Sequence, residues 1–303
     1  MLAKTAVPQS VQVSEYSILS SVTRADIRHE PYAHVVIHNC LPAQLYAELA
    51  RTYPSDETIL RLEKTAGRGA PRPNSRHDVD AQSILANPEC FSKSWREFVS
   101  YHVSNAFFRD LVVLMGAEII AAHPGLERRL GRSMGEFRTA IRDTPEAEGG
   151  DIALDCHIGI NTPSRRRSSV RRVHTDAPDE LFAALFYFRA EDDAVGGGDL
   201  EILQWKRDRP RLFVGSEVDE ADAEWRHTVP YKPNTAVIFI NSTAALHAVS
   251  ARGPSQQSRR LVNVMGRVHR SIPEGLFEKK QKTDLLSVGR RAIQRYRIAT
   301  NRF

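Results

Sequence analysis

From Gly149-Gly150 to about Val268 the chain is a succession of short apolar segments divided by turns rich in glycine, proline and acid. This spacing constrains the fold more than any other feature of the sequence. Ile152–Ile160 alternates, with Asp155 and His157 on one face, because strand side chains alternate with period two. Leu181–Phe188 is an unbroken apolar run. Asp199–Gln204, Trp225–Val229, Thr235–Ile240, Ala244–Val249 and Arg259–Val268 follow, each of strand length. Short strands at this spacing predict an antiparallel sandwich or jelly roll.

The first half reads differently. Residues 1–30 form a polar leader, and Val35-Val36-Ile37 is a β-branched strand. Pro42 opens a helix carrying Leu45 and Leu49, which Pro54 closes. Residues 61–80 are rich in Arg, Gly and Pro without periodicity, which predicts a mobile loop of the length used for lids. From Pro88 to Ala122 the pattern is helical: Phe91, Trp95, Phe98, Val99 and His102, then Phe107, Phe108, Leu111 and Leu114, recur at three and four. His123-Pro124 ends it, and Leu126–Phe137 allows one more short helix. Leu285-Leu286, Ile293 and Tyr296 lie among arginines and predict a basic helical tail. The organisation expected is a helical support region over 1–150, a β core over 151–270 within the same domain, and the tail over 271–303.

With 303 residues, 41% of them hydrophobic and 26% charged, the chain has the composition of a soluble globular protein. Its apolar runs fall short of membrane-spanning length, and Met1–Glu30 lacks the apolar stretch of a secretion signal. Cys40, Cys90 and Cys156 are odd in number and far apart, which argues against a disulfide framework and for a reducing cytoplasm. The net charge of +5 favours anions without choosing among them. Basic stretches interleaved with aromatic residues, the usual platform for single-stranded nucleic acid, are not evident.

The chemistry concentrates in Val173-His174-Thr175-Asp176-Ala177-Pro178. Two residues apart on a strand, His174 and Asp176 share a face. An imidazole nitrogen and a carboxylate oxygen are two thirds of a facial triad, the ligand set that leaves adjacent positions open on a ferrous ion. His247, well downstream on another strand, fits as the third ligand. His227, His157 and His269 are alternatives that lack its flanking pattern. Alone, His-x-Asp is common in solvated turns, so its context decides.

That context is an ordered series: His174-Thr175-Asp176, Gly197-Gly198-Asp199-Leu200-Glu201, Tyr231 with Pro233-Asn234-Thr235, Val237 and Phe239, His247-Ala248-Val249, and Arg259-Arg260-Leu261-Val262-Asn263. Over roughly residues 150–268 this order resembles the 2-oxoglutarate- and Fe(II)-dependent dioxygenase superfamily, in its prolyl-hydroxylase-like branch. The resemblance implies a mostly β fold with helical support. Its core would be a double-stranded β-helix (jelly roll), with N-terminal helices packed against it and a helical C-terminal tail. It implies Fe(II) held by His174, Asp176 and His247 as the catalytic centre. It further implies 2-oxoglutarate as cosubstrate, converted to succinate, and O2. The far carboxylate of 2-oxoglutarate needs a cation, and Arg259 stands where the family has its basic residue. Arg260 is the rival, since a one-residue shift swaps strand faces. Because Asp176 is present, where related halogenases carry a small residue, hydroxylation is the expected outcome.

Gly197-Gly198 reads as a turn admitting close backbone approach. Asn161 and His157 have two readings, as core or loop residues or as lining of the site's mouth. The Arg165–Arg172 and Arg68–Arg76 loops, flanking the entrance, would favour a small anionic metabolite or biosynthetic intermediate. Oxidative demethylation or hydroxylation of a nucleic acid or protein side chain is an alternative. A non-catalytic metal-binding jelly-roll module is another.

Overall fold

The computed structural model describes residues 14–63, 71–207, 217–268 and 276–277. The tail expected over 271–303 and His269 therefore lie outside the described residues, apart from Leu276 and Phe277. Among the described residues no helix is long and apolar enough to cross a membrane.

The chain runs through β1 (His34–His38), α1 (Ala43–Arg51), α2 (Asp56–Leu62), β2 (Arg76–Val79), α3 (Ala81–Ala86), α4 (Lys93–His102), α5 (Asn105–Ala122), α6 (Leu126–Leu130) and β3 (Thr139–Ile141). It continues through β4 (Ile152–Asn161), β5 (Glu180–Tyr187), β6 (Leu200–Trp205), β7 (Ala223–Val229), β8 (Thr235–Ile240), β9 (Leu246–Val249) and β10 (Arg259–Val268). The main sheet has the order β1-β8-β5-β10-β4-β2, and β3 pairs in parallel with β4. Strands β2 and β3 thus share one edge of β4, at residues 158–161 and 152–154 respectively. At the opposite edge a single bridge between Arg28 and His34 flanks β1. The smaller sheet has the order β7-β6-β9.

Two sheets with N-terminal helices are consistent with a double-stranded β-helix, as the strand spacing predicts. The class is nonetheless mixed α/β rather than mostly β, because helices cover a whole face of the main sheet. On that face Cys156, Ile158, Phe182, Phe186, Val262 and Val264 pack into one core with Trp95, Phe98 and Phe107. The alternate residues of the same strands look the other way. Ala183, Tyr187, Val237, Phe239 and Leu261 pack there against Leu200 and Ile202 of the smaller sheet. Period-two alternation on β5, β8 and β10 therefore divides one sheet between two environments.

The helical pattern over 88–122 resolves into α4 and α5 because Ser92 and Ser104 cap each start. Their hydroxyls accept from Trp95 N and Phe107 N, both at 3.3 Å, which satisfies donors left over by the first turn. The expectation of a loop over 61–80 is corrected at its ends, where α2 extends to Leu62 and Arg76–Val79 forms the edge strand β2, while residues 64–70 lie outside the described residues. The polar pattern of β2, in which only Val79 is buried, hides it from periodicity.

His102 is fully buried, with its ring centroid 4.1 Å from that of Phe98 and 4.8 Å from that of Phe107. Its Nδ1 donates to Phe98 O at 2.8 Å, and Nε2 accepts from Ile18 N at 3.4 Å. Burial pushes its pKa down from 6.5 to about 3. The unfolded chain thus takes up a proton there near pH 6.5, and the folded chain only near pH 3. Acid across that window weakens folding by up to about 1.4 kcal/mol per pH unit from this group. His102→Phe should remove about one proton's worth of pH dependence, read from urea midpoints between pH 6 and 4. An unchanged slope would place the acid sensitivity elsewhere.

Candidate metal centre

His174 lies in an extended segment before β5 rather than in a regular strand. It meets β9 by a two-way backbone exchange: His174 N donates to His247 O, and His247 N to His174 O, each at 3.0 Å. Such a pair places the two side chains next to each other on one side. The rings lie 4.1 Å apart between centroids. Asp176, two residues on, brings Oδ1 to 3.7 Å from His174 Nε2 and 3.5 Å from His247 Nε2. One ligand atom from each of the three residues falls within 4.8 Å of the others.

Both rings are oriented from behind. His174 Nδ1 donates to Arg172 O at 2.7 Å, and His247 Nδ1 donates to Ala245 O at 3.0 Å. A carbonyl can only accept, so the proton sits on Nδ1 and the Nε2 lone pair is left for a cation. Burial, then the neighbouring His247, pushes His174 down to about 3. Burial opposes charge on His247 as well, but the Asp176 carboxylate overrides it and raises its pKa above 6.5. Burial likewise opposes ionisation of Asp176, and the two imidazoles hold it well below the usual carboxylate range. Two imidazoles and one carboxylate on one side suit a divalent cation such as Fe(II), and leave the cavity side open.

The connection from Asp176 into β5 is fixed by Asn241, whose Nδ2 donates to Ala177 O at 2.8 Å and Glu180 O at 2.9 Å. His123 Nε2 donates to Asn241 O at 2.8 Å and ties the end of α5 to the same point. The sequence reading missed Asn241. Its one signal was a polar side chain closing the apolar run of β8.

The centre opens into a cavity of about 400 Å³ along which Arg259, Leu261, Asn263, Met265 and Arg267 line up from β10. Arg259 is 3% exposed. Its Nε donates to Gly198 O at 2.8 Å and Nη1 to Asn161 Oδ1 at 3.1 Å, while the guanidinium faces the Tyr187 and Tyr231 rings at 5.1 and 4.7 Å. Nη2 is buried with no hydrogen-bond partner among the described residues. An orphaned cationic donor is costly unless a ligand supplies its acceptor, and a carboxylate does so. Arg260 is on the opposite strand face, over the Tyr53 ring at 5.3 Å. Gly198, at φ +81°, lets Arg259 in, since a Cβ there would come to 3.1 Å from Arg259 Cδ and Nε. Gly197, at φ +87°, would bring a Cβ to 2.2 Å from Ala251 O. The turn read at these glycines is a close backbone approach.

Of the other candidates, His157 and Asn161 line the cavity, and so does Arg171 of the basic loop. His227 does not join the centre. It stacks on His34, with their Nε2 atoms 3.2 Å apart.

Because His247 must give up its proton to bind a cation, metal affinity should fall as pH falls below its raised pKa, by up to about tenfold per pH unit. Co(II) titration between pH 8 and 5.5 checks this, with His174→Ala expected to abolish binding. A flat profile would mean that His247 is not a ligand.

No protein-family model matches the sequence, and no curated protein matches it. Solved structures resemble its fold. A prolyl-4-hydroxylase from Pseudomonas putida is 14% identical with a TM-score of 0.41, over 78% of this chain and 92% of that one. A prolyl 4-hydroxylase from Phytophthora capsici is 14% identical with a TM-score of 0.46, over 93% and 75%. The non-haem α-ketoglutarate-dependent epimerase SnoN from nogalamycin biosynthesis is 12% identical with a TM-score of 0.42, over 78% and 76%.

Proposed function

We propose that this protein is an Fe(II)- and 2-oxoglutarate-dependent oxygenase that hydroxylates a small molecule. One observation carries the reading: the His174–Asp176–His247 cluster opens into the same cavity as a buried Arg259 whose Nη2 lacks an acceptor. A metal-binding module needs the first feature but not the second. The volume of about 400 Å³ suits a cosubstrate and a small substrate.

Fe(II) with 2-oxoglutarate would supply oxygen activation coupled to decarboxylation of the cosubstrate to succinate. The chain's own residues do the rest. His174 and His247 present Nε2 because carbonyls hold their Nδ1 protons, and Asp176 adds one negative charge. Arg259 grips the far carboxylate of 2-oxoglutarate, its fork fixed by Gly198 O and Asn161 and walled by two tyrosine rings. Ala183, Leu185, Phe239 and Leu261 keep the space dry, which strengthens each charge–charge contact within it.

Anaerobic titration with Fe(II) and 2-oxoglutarate should give the weak visible charge-transfer band of the chelate in the wild type and none in His174→Ala. Arg259→Gln should weaken 2-oxoglutarate binding about tenfold or more, as loss of charge-assisted hydrogen bonds does. Arg260→Gln should change it little. A folded, metal-loaded wild type without the band would leave the metal-binding module as the reading.

A further inference from the structure

Beside Arg259 the cavity is lined by Arg76, Arg171 and Arg267, of which Arg267 is paired with Asp179 and Glu180. Arg76 on β2 and Arg259 on β10 stand in register with the same residue of β4, Asn161, one on each side. The two arginines thus share a row, two strand spacings or about 10 Å apart at Cα. Arg76 Nε donates to both carboxylate oxygens of Asp78, at 3.0 and 2.8 Å. Its two Nη groups make no hydrogen bond among the described residues, its side chain is 30% exposed, and it lines the cavity.

Asp78 reaches this position because its neighbour across the sheet is Gly159. A Cβ at Gly159 would lie 1.9 Å from Asp78 Oδ1 and 3.0 Å from Asp78 Cγ. The carboxylate therefore lies flat over the glycine, a place any side chain would fill. From there it holds Arg76 by Nε alone and leaves the Nη pair as an open fork. An Arg–carboxylate pair is frequently bidentate, with two parallel N–H···O bonds, whereas here one N–H meets both oxygens.

Cationic and anionic groups alternate around Arg76. His157 Nε2 bonds Asp155 Oδ2 at 2.8 Å and its Nδ1 is 4.0 Å from Asp78 Oδ2, while Arg142 Nη1 is 3.6 Å from Asp155 Oδ2. Burial disfavours charge on His157, but these carboxylates raise its pKa above the ordinary value. Arg142 Nε in turn lies 3.4 Å from Asp143 Oδ2, so a chain of alternating charges runs from Arg76 to Asp143.

We propose that the open Nη fork of Arg76 binds a carboxylate of the substrate itself, which makes the substrate a small carboxylic acid anchored about one cosubstrate's length from Arg259. Asp78 and Gly159 act through Arg76 as positioning residues. The proposal rests on the oxygenase reading for its division of labour, with Arg259 serving 2-oxoglutarate and Arg76 serving the substrate.

The test is ligand-observed NMR on protein loaded with Zn(II) and saturating 2-oxoglutarate, with phenylacetate and phenylacetamide as probes. Phenylacetate should bind at least about tenfold tighter than its amide. Arg76→Gln should abolish that preference while leaving 2-oxoglutarate affinity within about twofold. Gly159→Ala, which displaces Asp78 and leaves the fork's charge in place, should weaken phenylacetate binding part-way. Equal binding of the two probes, or a preference that survives Arg76→Gln, overturns the proposal. So does an Arg76→Gln variant that loses 2-oxoglutarate as Arg259→Gln does. If the wild type fails to bind 2-oxoglutarate yet shows the Arg76-dependent preference, the oxygenase reading falls and the carboxylate site stands.

Discussion

The paired backbone hydrogen bonds between His174 and His247 are the constraint on which the centre depends. Seventy-three positions apart in sequence, the two residues become cross-strand neighbours only through this exchange. Each imidazole is then turned by a carbonyl of its own segment, and Asp176 completes the cluster by simple alternation. Asn241 and His123 hold the next few residues, so the geometry is fixed by backbone bonds rather than by the ligands' attraction for one another. Such preorganisation would let the three donors take up a cation without rearranging.

The main sheet supplies the other half of the arrangement by giving its two faces different solvents. On β10, Val262 and Val264 are sealed under the helices, while Arg259, Leu261 and Asn263 look into the cavity. Burying Arg259 draws its pKa below the usual value. Two tyrosine rings and two oxygen acceptors offset part of that cost, and Nη2 is the donor left without an acceptor among the described residues.

Much of this was legible in the sequence where burial is one-sided or complete. The bounds of β10 coincide with the expected Arg259–Val268, and β5 and β8 lie within a residue of their apolar runs, because turn residues frame each. His174, Asp176, His247 and Arg259 stood out through residue type and order. What escaped depends on space and partners far along the chain. Strand β2 is polar because its side chains serve the cavity and each other. Gly159 matters for a volume that Asp78 occupies, 81 positions away. Asn241 matters for carbonyls that periodicity cannot locate. The split of α4 from α5 escaped as well, because it turns on the Ser104 hydroxyl accepting from Phe107 N within an otherwise continuous apolar rhythm.

The way β2 and β3 divide the edge of β4 has a consequence for the molecule's dealings with its own copies. A long exposed strand is a template on which another chain can add by backbone pairing. Here a strand of ten residues is covered by one partner of four and another of three, running in opposite senses, with Ala81 N bonded to Asp155 Oδ1 between them. The edge that remains outward is broken into short pieces of unlike direction. Sheet-to-sheet growth is discouraged by the same four-residue strand whose Arg76 and Asp78 line the cavity, so one segment both shields the edge and walls the site.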